Sequence, residues 1–151
     1  GSGFVIFPGE HIDGSYLKMF NKTMHEIAQV EDILTNGKRI KQEIRIVPSQ
    51  IAAGNVAAEA QTKLEFDKYF RYNARRQGNR ILLSLFNYDP KLSSRIMIDL
   101  QKHADAKYIV TDVSSGNRIN SPSGKYWLAR DLKKIIVDMK PMEAKLLLVG
   151  E

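Results

Sequence analysis

Glu10-His11-Ile12-Asp13 gathers three potential metal or acid/base groups within four residues. A zinc site would call for a helical i, i+4 histidine pair or a set of ligands at fixed spacing, and this tract offers neither. Asp13 reads as a helix cap and Glu10 as a solvated side chain. His25 and His103 each stand alone. Cysteine is missing altogether, which removes disulfides, thiolate metal sites and a thiol nucleophile. Glycoside hydrolysis needs paired carboxylates, about 5–5.5 Å apart for retention or about 6.5–9.5 Å for inversion. Glu65 and Asp67 read instead as outer-face residues of a strand, and Asp131 and Asp138 sit among lysines. Gly14-Ser15 and Ser123-Gly124-Lys125 lack the spacing of a phosphate loop or a nucleophile elbow. The expectation is a chain with no catalytic residue, no metal ligand set and no cofactor of its own.

Binding is the chemistry that remains. Tyr126 and Trp127, the latter the single tryptophan, together with Tyr88 in the Asn87-Tyr88-Asp89-Pro90 turn, offer flat rings on which the C–H face of a sugar can stack. The competing reading packs Trp127 beneath a loop, closing one end of the fold. Arg71, Arg75, Arg76 and Arg80 crowd one hairpin beside Tyr69 and Tyr72 and suit phosphate contacts. No nucleic-acid motif accompanies them, so a solvated hairpin tip is favoured over a nucleic-acid partner. The charge distribution agrees. Lys and Arg number 23 against 17 Asp and Glu, a net charge of +6, with 10 basic and 9 acidic side chains in residues 1–75 and 13 and 8 in residues 76–151. The excess in the second half is scattered singly between apolar positions, as on the wet face of strands.

The elements that must hold these residues follow from periodicity. From Ser15 to Asn36, Leu17, Phe20, Met24, Ile27, Val30 and Leu34 recur at spacings of three and four, predicting one amphipathic helix of about twenty residues. Asp13-Gly14-Ser15 supplies caps at its start, and Asn36-Gly37 a residue able to take positive φ at its end. Phe4-Val5-Ile6-Phe7 before it is a short extended segment stopped by Pro8-Gly9. Ile44-Arg45-Ile46-Val47 is a strand ended by Pro48, and residues 51–60 read as a loop. Leu64, Phe66, Phe70 and Tyr72 then alternate along an extended chain that turns at Gln77-Gly78-Asn79 into the strand 80–86. Further strands are predicted at Ile96, Ile98 and Leu100; at Tyr108-Ile109-Val110; at Ile135, Val137 and Met139; and at Met142, Ala144, Leu146 and Leu148, the last two separated by Lys140-Pro141. The fold class is therefore mainly β: an antiparallel β-sandwich of about six to eight strands preceded by one amphipathic α-helix.

Three phrases carry a resemblance. They are Ile81-Leu82-Leu83-Ser84-Leu85-Phe86-Asn87-Tyr88; Tyr108-Ile109-Val110-Thr111-Asp112-Val113-Ser114-Ser115-Gly116; and Met139-Lys140-Pro141-Met142-Glu143-Ala144-Lys145-Leu146-Leu147-Leu148. In order and spacing, residues 64–150 resemble the β-sandwich domain that follows the catalytic barrel in many multidomain glycoside hydrolases. The helix, with Phe20-Asn21-Lys22-Thr23-Met24 and Val30-Glu31-Asp32-Ile33-Leu34, looks like the one linking barrel and sandwich. The resemblance implies a non-catalytic accessory domain whose partner is the catalytic barrel of the same parent chain, with carbohydrate contact as an alternative role. It carries no catalytic residue onto this chain, and it implies that a face normally covered by the barrel is bare, with the helix stripe and Phe4, Val5 and Phe7 as candidates.

The division expected on this basis is residues 1–3 as an expression scar, 4–43 as extended segment and linking helix, and 44–151 as the sandwich. A chain of 151 residues is one domain, able to bury about 68–70% of its unfolded surface without staples. It holds no apolar run of 18 residues that would span a membrane. Secreted, periplasmic and cytoplasmic locations all stay open.

Overall fold

The structure, a computed structural model, describes residues 14–49, 64–101 and 104–151. Phe4, Val5, Phe7, the Glu10–Asp13 tract, His103 and the expected loop at 51–60 lie outside them. The described part is mainly β, with ten strands in antiparallel sheets. In chain order they are β1 (Lys38–Arg39), β2 (Ile44–Pro48), β3 (Phe70–Gln77), β4 (Arg80–Asn87), β5 (Ser94–Leu100), β6 (Lys107–Asp112), β7 (Asn117–Ile119), β8 (Trp127–Leu128), β9 (Ile135–Met139) and β10 (Ala144–Gly150). One sheet runs β1-β3-β4-β10-β6-β7, with β8 also pairing β6; the other runs β2-β5-β9. Their facing side chains form one core. Ile81, Leu83, Leu85, Val110, Leu147 and Val149 of the large sheet meet Ile96, Ile98, Leu100, Ile135 and Val137 of the small one.

The helical region is two helices rather than one, α1 (Gly14–Ala28) and α2 (Glu31–Asn36). The break falls at Val30, whose backbone (φ −126°, ψ 4°) leaves the helical region so that its side chain is fully buried with Ile33, Leu82 and Val113. Tertiary burial of a β-branched residue here outweighs helical continuity. Gly37 does not take positive φ; it is extended, at φ −70° and ψ 136°. Its lack of a side chain serves close approach instead, because a Cβ there would collide with the Ile33 carbonyl oxygen.

Helix α2 covers the outer face of the large sheet. That explains the unbroken apolar run in β4: Ile81, Leu83 and Leu85 face the other sheet, while Leu82 faces α2. A strand buried on both sides has no polar face to alternate with. The same holds for β10, where the predicted strand is marked by Met142, Ala144, Leu146 and Leu148. Leu147 and Val149 fill the inter-sheet core, Leu146 and Leu148 pack toward α2, and Met142 is an exposed turn residue at φ 53°. Because β1 pairs with β3 through Lys38↔Arg76 and Arg39↔Arg75, the sheet begins before residue 44. The helix α2 and β1 are thus part of the sandwich and not a detachable link.

Residues 64–69 are helical where an extended chain was expected. Phe66 and Phe70 are four apart, a spacing that puts them on one face of a helix, and their rings stack at 4.6 Å between centroids. The extended chain begins at Phe70. From there β3 and β4 form the expected hairpin, with Gln77 opposite Arg80. Gly78 holds φ 57° at the first position of the two-residue loop, where a II′ hairpin turn requires it.

Candidate functional site

The three aromatics proposed as a sugar platform do not meet. Trp127 pairs with Tyr108 at the start of β6, and β6 begins beside the far end of β10, next to Ile81. Tyr88 follows the opposite end of β4, so the length of that strand, eight residues or about 25 Å, separates them. Trp127 is also 2% exposed and donates from Nε1 to the Ile119 carbonyl at 2.7 Å. It is a core residue that closes the β6–β8 end, and its ring cannot stack on a ligand. Tyr126 is exposed, with the Lys125 ammonium 5.4 Å from its ring centre. Tyr88 is exposed and stacked on Phe86 at 6.1 Å.

The other candidates have local partners. Arg71 donates to the Asp67 and Phe70 carbonyls, Arg75 to the Gly37 carbonyl, Arg76 pairs with Glu43 at 2.8 Å, and Arg80 lies 3.9 Å from Asp32. The last three hold the hairpin to α2 and to the segment before β2, while Arg71 braces only the turn that leads into β3. Asp131 accepts from the Ser123 hydroxyl, Asp138 pairs with Arg95 at 3.4 Å, and His25 is an exposed residue of α1. Among the described residues, no three of His, Asp and Glu gather as a metal site would require, and no helix is long and apolar enough to cross a membrane.

The feature that periodicity missed is a groove of about 350 Å³ at the Tyr88 end of the sandwich. One wall is the 64–69 turn, which presents Glu65, Phe66 and Tyr69. The other is the loop between β4 and β5 with Asp89, while Pro48 and Arg95 of the small sheet close the side. The walls are pinned by hydrogen bonds. Tyr88 donates its backbone N–H to the Tyr69 carbonyl at 2.8 Å, joining the two sides. Asn87, 2% exposed, donates from Nδ2 to the Leu92 and Lys140 carbonyls and accepts at Oδ1 from the Asp89 backbone N–H. Asp89 Oδ1 in turn accepts from the N–H groups of Lys91 and Leu92 at 2.8 and 2.9 Å. Those two amides favour the charged form and hold its carboxyl below the ordinary aspartate value. The groove thus carries aromatic side chains on one side, Phe66 stacked on Phe70 and Tyr69 with the Lys68 ammonium 4.9 Å from its ring centre, and fixed hydrogen-bonding groups on the other. The sequence signal for it was the Phe66/Tyr69 spacing of three, legible only once the segment is taken as helical.

Compared with models of protein families, with curated proteins and with solved structures, the chain matches none.

Proposed function

We propose that the chain is a non-catalytic accessory module of a glycoside hydrolase, a β-sandwich that packs on the catalytic domain of its parent protein. The observation that carries this reading is where the three family-like phrases fall. They supply β4, β10 and β6, which are consecutive neighbours in the large sheet. Phrases far apart in sequence thus describe one contiguous centre of the fold. A second observation suits the packing role. Leu17 and Met24 of α1 are 49% and 37% exposed, apolar surface of the kind that marks a covered face.

The reading is tested on the reading frame and on the purified protein. A barrel-coding region upstream of the codon for Phe4 is expected, and the barrel expressed separately should co-elute with this chain. The chain by itself should leave aryl-glycosides intact. Hydrolysis by the purified chain that disappears in Glu65→Gln or Asp67→Asn would overturn the reading.

A further inference from the structure

The groove between the 64–69 turn and the β4–β5 loop has the wall chemistry of a site for a ligand with both an apolar face and a set of hydroxyls. Tyr69 and Phe66, three apart on one helical turn, both line it, so two aromatic rings stand on the same wall. Across from them Asp89 is fixed through Oδ1 alone, and neither its Oδ2 nor the Glu65 carboxylate accepts a hydrogen bond from a described residue. The Arg95 guanidinium and the Ser93 and Ser94 residues add donors along the same rim. Carboxylates and guanidinium groups hydrogen-bond adjacent hydroxyls, while C–H faces of a sugar ring lie against aromatic rings. An anion fits poorly, because two carboxylates face the space and Arg95 already pairs with Asp138. A purely apolar ligand fits no better, since it would strip water from those carboxylates without replacing their hydrogen bonds.

We propose that this groove binds a pyranose unit of a neutral oligosaccharide, with Tyr69 as the stacking surface and Asp89 and Glu65 as acceptors for ring hydroxyls. The choice of a glycan over other polyhydroxylated ligands rests on the accessory-module reading; the location and the residues rest on the groove. The walls are held in place before the ligand arrives: the Tyr88–Tyr69 hydrogen bond joins them, and the Asn87 hydrogen bonds pin the β4–β5 loop to itself and to the turn before β10. Little ordering is then left to oppose binding.

The test is a titration of the intact chain, followed by backbone amide NMR, with maltohexaose, cellohexaose, xylohexaose and mannohexaose in turn. At least one of them should shift the amides of Tyr69, Asp89 and Arg95 in a saturable way. Tyr69→Ala should weaken that binding by about tenfold. Should Tyr69→Ala fail to fold, Glu65→Gln and Asp89→Asn carry the test, since Glu65 is exposed and asparagine keeps the Oδ1 acceptor of the turn. Each should weaken binding severalfold while leaving the remaining spectrum unchanged. Binding unaffected by these substitutions would overturn the proposal, as would shifts confined to the Tyr126 surface or tight binding of hexalysine with none of the sugars. No response to any of the four sugars, in a chain that still co-elutes with its barrel, would remove the groove proposal and leave the module reading in place.

Discussion

The side-chain amide of Asn87 donates to the carbonyl of Lys140 at 2.8 Å, across 53 residues of sequence, and so ties the loop after β4 to the turn before β10. The same Nδ2 reaches the Leu92 carbonyl at 3.0 Å, so one buried side chain satisfies two carbonyls that strand pairing leaves without donors. Asn87→Ala should cost about 1–3 kcal/mol, the range for orphaning buried polar groups. Asn87→Asp should cost at least as much, because a carboxylate has no donor to offer and would face two carbonyl oxygens. Urea unfolding measures both. The midpoint should fall with the slope unchanged; a wild-type midpoint in Asn87→Ala would show that the amide does not hold the two loops together.

Trp127 separates packing from hydrogen bonding. Trp127→Ala removes a buried indole and should cost about 3–5 kcal/mol. Trp127→Phe keeps most of the ring but leaves the Ile119 carbonyl without its donor, and should cost about 1–3 kcal/mol. Thermal melts of the two variants should therefore rank wild type, Trp127→Phe and Trp127→Ala in falling order. Neither should change oligosaccharide binding at the Tyr69 groove, which lies at the other end of β4. Loss of binding in Trp127→Phe, with its fold intact, would return the aromatic platform to consideration.

What could be read from sequence depended on whether a segment has one buried face or two. β5 and β9 alternate cleanly, so periodicity found them, while the β3–β4 hairpin was legible from its glycine turn at Gly78 and from the length of the apolar run that follows it. In β10 both faces are covered, so Leu146, Leu147, Leu148 and Val149 offer no polar contrast from which the inward side can be chosen. The split of the helix at Val30 arises from contact with Leu82 and Val113, partners more than fifty and eighty residues away along the chain. Local spacing holds no trace of such contacts. Trp127 presents the same ambiguity in another form, since an aromatic residue in a polar loop serves equally as a lid on the core or as a binding surface. The groove was hidden because its aromatic wall depends on the helical state of 64–69, and that short segment also alternates apolar and polar residues like a strand.

Two glycines in neighbouring elements should respond to alanine for different reasons. At Gly78 the obstacle is the backbone: φ is +57° with open space around the missing side chain, so Gly78→Ala should cost about 1–2 kcal/mol. Asparagine, for which the same open space leaves room, should cost no more than alanine there. At Gly37 the backbone suits any residue, but a Cβ meets the Ile33 carbonyl oxygen and the Arg75 side chain. Asparagine and alanine should therefore both be poorly tolerated there. Equilibrium unfolding of the four variants checks the contrast, and rescue of Gly37 by asparagine would contradict the steric account.

Asp32 links α2 to the hairpin and gives the fold a pH-dependent contact. Its Oδ1 accepts from Gln77 Nε2 at 2.8 Å and from Asn36 Nδ2 at 3.2 Å, and Arg80 lies 3.9 Å from Oδ2. These hydrogen bonds, Gln77 first, and the guanidinium lower its carboxyl below the ordinary value of 3.8. A group whose folded value is depressed stabilises the protein above its unfolded value and loses that contribution as pH falls through the folded one. Asp32→Asn should therefore be less stable than wild type at neutral pH, with the difference fading as pH drops below 3.8. Because the group is exposed, added salt should shrink the Arg80 share of the effect. A difference that stayed constant down the acid limb would show that the contribution is not ionic.

The placement of α2 makes a further claim about where the folding unit begins. Val30 and Ile33 are fully buried against Leu82 and Val113, with Leu34, Leu146 and Leu148 around them. Removing residues 1–43 would strip that cover from the outer face of the large sheet and delete β1 from its edge. Lost burial of several large aliphatic side chains, at about 25 cal/mol per Å², is comparable with the whole stability of a small domain. The truncated chain should therefore aggregate or fail to fold. Ile33→Ala in the intact chain makes the graded version of the same test, with an expected cost of about 2–5 kcal/mol. Hydrogen exchange should show the loss spreading from α2 into β3 and β4, because the helix packs directly on both. A truncated chain that remained monomeric and fully protected in β4 would move the domain boundary back to the start of β2.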